Sequence, residues 1–107
     1  LMQANEYQEA TRATAIYPKD DAVIYTLLGL GNEAGELQGK YKKFLRDGTV
    51  WSDVVEMLAD ELGDVMWYVA RLADELDFDL SEIMERNLAK LKGRQARGTL
   101  GGSGDHR

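Results

Sequence analysis

Two segments of this 107-residue chain echo each other: Glu33-Ala34-Gly35-Glu36 and Glu61-Leu62-Gly63-Asp64. Each sets two carboxylates three residues apart, with a glycine just before the second. On an α-helix, positions i and i+3 share a face, so each segment presents a pair of acids in one direction. Two such helices side by side would bring four like charges together. Repulsion of that size points to a cation as the missing partner. The donors are carboxylate oxygens without imidazole or thiolate, a hard set that suits Mg²⁺, with Mn²⁺ as a substitute, rather than zinc or copper. Di-iron bundles also gather glutamates, but they need a Glu-x-x-His element, and the only histidine is His106, far down the chain.

Magnesium held by a few carboxylates takes its remaining ligands from water and substrate phosphates. Basic residues stand where a phosphate chain would need them. Lys40, Lys43 and Arg46 follow the first acid pair by successive helical turns, while Lys90, Arg94 and Arg97 recur along the last helical stretch. Phosphoryl chemistry needs this pairing of metal and cations to neutralise developing charge. Plainer readings stand beside it. A single Glu-x-x-Glu is ordinarily a solvated helix face, and it is the repetition with matching glycines that singles these two out. Lys42 reads best as an i,i+4 partner of the acids on an exposed face. Lys90 to Arg97 also fit a basic end that complements a helix dipole. Trp51 and Trp67 read as core or interface, whereas Tyr68 lies one turn beyond Asp64 on the acid row. A mid-helix glycine costs roughly 1 kcal/mol relative to alanine, so Gly35 and Gly63 predict close helix approach at the acids.

The elements that must position these residues are all helical. Pro18 is the single proline, and β-type alternation is scarce. A first helix is expected over about residues 3–16, with Tyr7, Ala10, Ala13 and Ala15 on one face, ending ahead of Pro18 because the residue before proline leaves the α region. Asp20 would cap a second helix to about Leu45, stopped by Asp47-Gly48. Ser52 or Asp53 would open a third, with Leu58, Leu62, Val65, Val69, Leu72 and Leu76 as its apolar stripe. Asp79 and Glu82 form a capping-box pattern for a fourth helix ending near Arg94. Residues 1–97 form the helical domain. Residues 98–107 are glycine-rich and by themselves read as a flexible end.

The composition fits one globular domain, 44% hydrophobic and 30% charged. At this length, oligomerisation would help to complete a core. A net charge of −6 argues against nucleic-acid binding driven by overall charge. Without cysteine, disulfides and thiolate chemistry are excluded, which is compatible with a cytoplasmic setting. No apolar run approaches a membrane span, and the polar start (Gln3, Asn5, Glu6, Gln8, Glu9) lacks signal-peptide character.

The chain resembles the MazG-like all-α nucleoside triphosphate pyrophosphohydrolases, whose signature is Glu-x-x-Glu, a spacer, then Glu-x-x-Asp. The match runs through Gly31-Asn32-Glu33-Ala34-Gly35-Glu36-Leu37 and Glu61-Leu62-Gly63-Asp64-Val65-Met66-Trp67-Tyr68. It continues in Asn87-x-x-Lys90-Leu91 with Arg94. The opening Asn5-Glu6-Tyr7-Gln8 and the closing Gly102 to Arg107 resemble small stand-alone bacterial and phage members. The resemblance implies a four-to-five-helix bundle assembled as a homodimer or homotetramer. It implies hydrolysis of a nucleoside triphosphate between the α- and β-phosphates, in a house-cleaning role. Glu33, Glu36, Glu61 and Asp64 would then hold Mg²⁺. Glu36, or alternatively Glu33, would activate the attacking water. Tyr68, Asn87, Lys90 and Arg94 would contact phosphate or sugar, beside Lys40 and Lys43. Where dCTP-type members carry a base-stacking tryptophan two turns after the first acid pair, this chain has Lys43. Two rival functions are a phosphoribosyl-ATP pyrophosphatase-like activity and a helical module that binds a nucleotide or partner without turnover.

Overall fold

The longest helices of the chain are also its acid-bearing ones. The computed structural model, which describes residues 1–107, has four α-helices and no strand: α1 Ala4–Thr11, α2 Ala22–Asp47, α3 Trp51–Glu75 and α4 Leu80–Arg97. The all-α class expected from the sequence is the one observed. α2 has 26 residues and α3 has 25, so each runs for nearly 40 Å at ~1.5 Å per residue. Gly48 ends α2 in the left-handed conformation at φ 65°, and its N–H donates to the Phe44 carbonyl. Only three residues join the two helices, so they fold into an antiparallel hairpin, the most extensive packing in the chain. Tyr41, Phe44 and Trp51 close its turn, with ring centroids 5.3–6.4 Å apart.

The helix boundaries differ from the expected ones for local reasons. α1 ends at Thr11, not near residue 16. The Thr11 and Thr14 hydroxyls donate to the Gln8 and Thr11 carbonyls, and a 3-10 turn over Arg12–Thr14 follows. A second 3-10 turn, Lys19–Asp21, follows Pro18 and moves the start of α2 past Asp20. α3 begins at Trp51 because the Val50 carbonyl already accepts from the Asp53 and Val54 N–H groups. α4 opens on the expected Asp79–Glu82 capping box and runs on to Arg97, where Gly98 turns left-handed at φ 71°.

The far end of the hairpin is held by polar side chains. Arg71 is buried on α3. It donates to Tyr17, Thr11 and Asp74, and Arg12 grips the same Asp74 carboxylate with two hydrogen bonds of 2.8 and 2.9 Å. Tyr17 donates to Glu75 at 2.7 Å, and the Trp67 indole donates to the Thr14 hydroxyl. α1 then fixes the turn into α4. Gln8, 3% exposed, donates to the Phe78 carbonyl and accepts from the Leu80 N–H, both at 2.8 Å. Asn5 makes the same two-way clasp with Ser81. These amides satisfy free N–H groups that begin α4, so α4 is anchored at its start by α1, and it packs only lightly on α3.

Gln8→Ala would leave a buried N–H and a buried carbonyl without partners. The expected cost is about 1–3 kcal/mol of stability, read as a lowered urea midpoint. An unchanged midpoint would mean that the clasp does not hold α4.

Candidate active site

Glu33 lies almost midway along α2, and Glu61 and Asp64 almost midway along α3. The antiparallel hairpin therefore sets the two acid segments opposite each other. One carboxylate oxygen from each of Glu33, Glu61 and Asp64 falls within 4.8 Å of the other two. Glu33 and Glu61 are half-buried, and Asp64 is exposed. The Glu33 Oε2 and Glu61 Oε2 atoms are buried without any hydrogen-bond partner. Buried oxygens of that kind are costly unless something satisfies them.

The electrostatics express the same strain. Burial pushes the Glu33 carboxyl up to about 7, reinforced by a hydrogen bond with Glu36 and then by the charges of Glu36, Asp64 and Glu61. Glu36 is thus beside Glu33 but outside the three-oxygen cluster. Two tyrosines border the acids. The Tyr68 phenol is raised by burial, then by Tyr25, and then by Glu33 and Asp64. The Tyr7 phenol of α1 is raised by burial and then by Asp64. An all-oxygen donor set with orphaned buried oxygens fits a hard divalent cation, and Glu33, Glu61 and Asp64 are the residues that could hold it.

Glu36 and Glu61 also line an open cleft of about 340 Å³ with Gly39, Lys40 and Lys43. This places two lysines directly beside the acids. Asn87 and Lys90 lie elsewhere, on a separate cleft of about 520 Å³ with Leu76, Phe78, Ile83 and Arg86. Arg94 is buried at the end of α4, under the glycine-rich segment. That segment is folded back rather than free. Arg94 donates to the Gly104 and Asp105 carbonyls, Arg107 to those of Thr99, Leu100 and Gly104, and Asp105 sits 3.5 Å from Lys90. A single chain therefore brings Glu33, Glu36, Glu61, Asp64, Tyr68, Lys40 and Lys43 to one face, and leaves Asn87, Lys90 and Arg94 on another.

Residues 23–98 match the family model of the MazG nucleotide pyrophosphohydrolase domain. The chain belongs to that family. The match spans both acid pairs and reaches the end of α4, so a MazG domain accounts for the hairpin and everything it carries. The chain is also similar to the "Gene 37 protein" of Mycobacterium phage L5. Their identity is 46% over 114 residues, covering 99% of this chain and all of the phage protein. No solved structure matches. No helix is long and apolar enough to cross a membrane.

Sequence reasoning missed some of what borders the acids. The sequence pattern places Tyr7 only on a small-residue face of the first helix and gives no signal for Tyr25. The glycines need a correction too. A side chain at Gly35 or Gly63 would meet nothing within 4 Å, so neither marks close approach between the helices of this chain. Both point away from the hairpin contact, which helical spacing alone could not reveal without knowing which face is packed.

Glu33 links this geometry to stability. Its carboxyl titrates at about 7 in the folded chain against an ordinary value of 4.5. Between those values the folded chain holds a proton that the unfolded chain releases, so stability falls as pH rises through that window. Glu33→Gln should therefore raise the melting temperature of EDTA-treated protein at pH 8 and change it little at pH 4. Equal shifts at both pH values would count against a repelled Glu33.

Proposed function

We propose that this protein is a Mg²⁺-dependent pyrophosphohydrolase that cleaves a nucleoside triphosphate between its α- and β-phosphates. The products would be the monophosphate and pyrophosphate. The observation that carries this reading is the three-oxygen cluster with two orphaned buried oxygens, bordered directly by Lys40 and Lys43. Membership of the MazG family supports the reaction class.

In this reading Glu33, Glu61 and Asp64 hold the metal. Bound Mg²⁺ would supply charge neutralisation and orientation of the phosphate oxygens. Glu36 stands outside the cluster and lines the cleft, so it is the carboxylate left to take a proton from the attacking water. Glu33 is the alternative base. Lys40 and Lys43 face the negative charge of the departing pyrophosphate. Tyr68, protonated at neutral pH, offers an O–H donor to substrate one turn from Asp64.

Asn87, Lys90 and Arg94 act on substrate in this reading only if a second chain supplies them, and the surface supports a homodimer or homotetramer. The chain exposes 7875 Å², against about 6,000 Å² for a compact monomer of its mass. The surplus, about 1,900 Å², is what one partner of an obligate interface gives up. The radius of gyration is 16.7 Å, against roughly 13 Å for a compact 100-residue domain. Val23, Ile24, Leu27 and Leu28 of α2 and Met84, Leu88 and Leu91 of α4 are all exposed, patches of the sort that a partner covers.

A panel of nucleoside triphosphates and phosphoribosyl-ATP, assayed for pyrophosphate with and without Mg²⁺, tests the reaction. Mg²⁺-dependent release from a triphosphate is expected, and Glu36→Gln and Asp64→Asn should each lower it by roughly 100-fold or more with helicity kept. Release from phosphoribosyl-ATP alone would move the substrate class, and release from none would leave a binding module. Sedimentation equilibrium should return a mass of two or four chains. A monomer at assay concentration would remove the assembly.

A further inference from the structure

Most glycines of α2 look out into open space: a side chain at Gly31, Gly35 or Gly39 would meet nothing within 4 Å. Gly29 is different. A Cβ built there would collide with the Tyr68 ring at Cε1, Cζ and Cδ1. The Tyr68 ring therefore lies flush on the backbone of α2, in the space that any other residue at position 29 would fill. Glycine is the poorer helix former, so helix stability gives no reason for it here. The fit against the ring does.

The register shows what this contact controls. Gly29 is one turn before Glu33 on α2, and Tyr68 is one turn after Asp64 on the antiparallel α3, so the slot forms the layer next to the acid cluster. Tyr25, one turn before Gly29, lies beside the same phenol. On the other side, Trp67 packs edge-on to the Tyr68 ring at 4.9 Å, and Tyr17 stacks on Tyr25 at 5.2 Å. The ring is thus confined by aromatic neighbours and by the bare backbone of Gly29. A methyl group would close the slot, and the ring, being a rotatable side chain, would have to leave it.

We propose that Gly29 is a positioning residue: its missing side chain seats the Tyr68 ring against α2 and so fixes the Tyr68 hydroxyl as a substrate-facing donor beside Glu33 and Asp64. The inference rests on the pyrophosphohydrolase reading for the donor's use, but the seat itself can be tested separately. Gly93 makes a useful contrast. A Cβ there would meet the guanidinium end of the Arg97 side chain at 2.9 Å, a group that binds the Arg107 carbonyl and not the acids.

The experiment pairs Gly29→Ala with Tyr68→Phe and the double variant. Each single change should lower kcat/KM for the nucleotide at least tenfold, with the double no worse than the worse single, because both remove one hydroxyl from one place. A wild-type kcat/KM in Gly29→Ala, or a double loss equal to the product of the singles, would overturn the proposal. Ultraviolet titration of the phenols gives a readout that needs no turnover. Gly29→Ala should move one tyrosine of the five to lower pH as its ring leaves the slot, and an unchanged titration would overturn the seat. Should Gly29→Ala not fold, Gly29→Ala with Tyr68→Ala relieves the collision and should fold; failure of that pair too would place the role of Gly29 elsewhere. If the wild type releases pyrophosphate from no nucleotide, the functional reading falls, and the titration decides on the seat alone.

Discussion

Three carboxylates held within 4.8 Å of one another set the terms for the rest of the chain. At the effective dielectric that suits protein surfaces, two like charges at that separation repel by more than about 3 kcal/mol. A domain of this size has only about 5–15 kcal/mol of net stability to set against such terms. The metal-free chain has one local remedy, which is to keep a proton on Glu33 near neutral pH. A divalent cation removes the repulsion in a different way, by satisfying the orphaned Glu33 and Glu61 oxygens as well. The same arrangement that costs stability without a cation is what makes the site receptive to one.

A hairpin carrying this repulsion at its centre must be fastened at both ends, and it is. At the connecting turn the fastening is apolar, through the ring contacts of Tyr41, Phe44 and Trp51. At the open end the segment that leads into α2 is tied to α3 by ionic and hydrogen-bonded contacts, through Arg71, Asp74, Arg12 and Tyr17, and Tyr17 stacks on Tyr25 of α2. The paired guanidinium groups hold the Asp74 carboxyl down at about 2, opposite in direction to Glu33. Two acids four turns apart or fewer on facing helices thus take opposite perturbations: one is compensated by the protein, the other is left for a ligand.

The acid layer was legible in the sequence because it depends on helical period and chain direction alone. Glu33, Glu61 and Asp64 had to meet once two long helices with a short connection were recognised. The lysine cleft followed by the same rule, since Lys40 and Lys43 continue the face of Glu36. Features that depend on which face is packed were not legible. Gly35 and Gly63 drew notice by their motif positions yet face open space, while Gly29, outside the acid motif, receives the Tyr68 ring. Gln8 read as one of several polar residues in the opening segment. Its burial depends on the Phe78 carbonyl and Leu80 N–H, seventy residues away, which no local pattern announces. The folded-back end of the chain is a further case. Its glycines suggested freedom, but Arg94, Arg97 and Arg107 supply enough donors to bind the segment's own carbonyls.

The open shape of the single chain follows from the same economy. A two-helix hairpin has two faces, and α1 with its connecting turns covers only part of one, near Thr11, Tyr17 and Trp67. α4, held at its start by the Gln8 and Asn5 clasps, packs on α1 and α3 and leaves α2 largely uncovered. Leu27 and Leu28 on α2 and Leu88 and Leu91 on α4 are consequently exposed in one chain, although their spacing is that of buried helix faces. In the proposed assembly, two hairpins packed against each other would form the bundle that one chain lacks and remove these faces from water. The acids would then stand between helices of a closed bundle, where lower polarity strengthens both their repulsion and their hold on a cation. Assembly would in that case favour metal binding, since it raises the repulsion among the acids that a cation relieves.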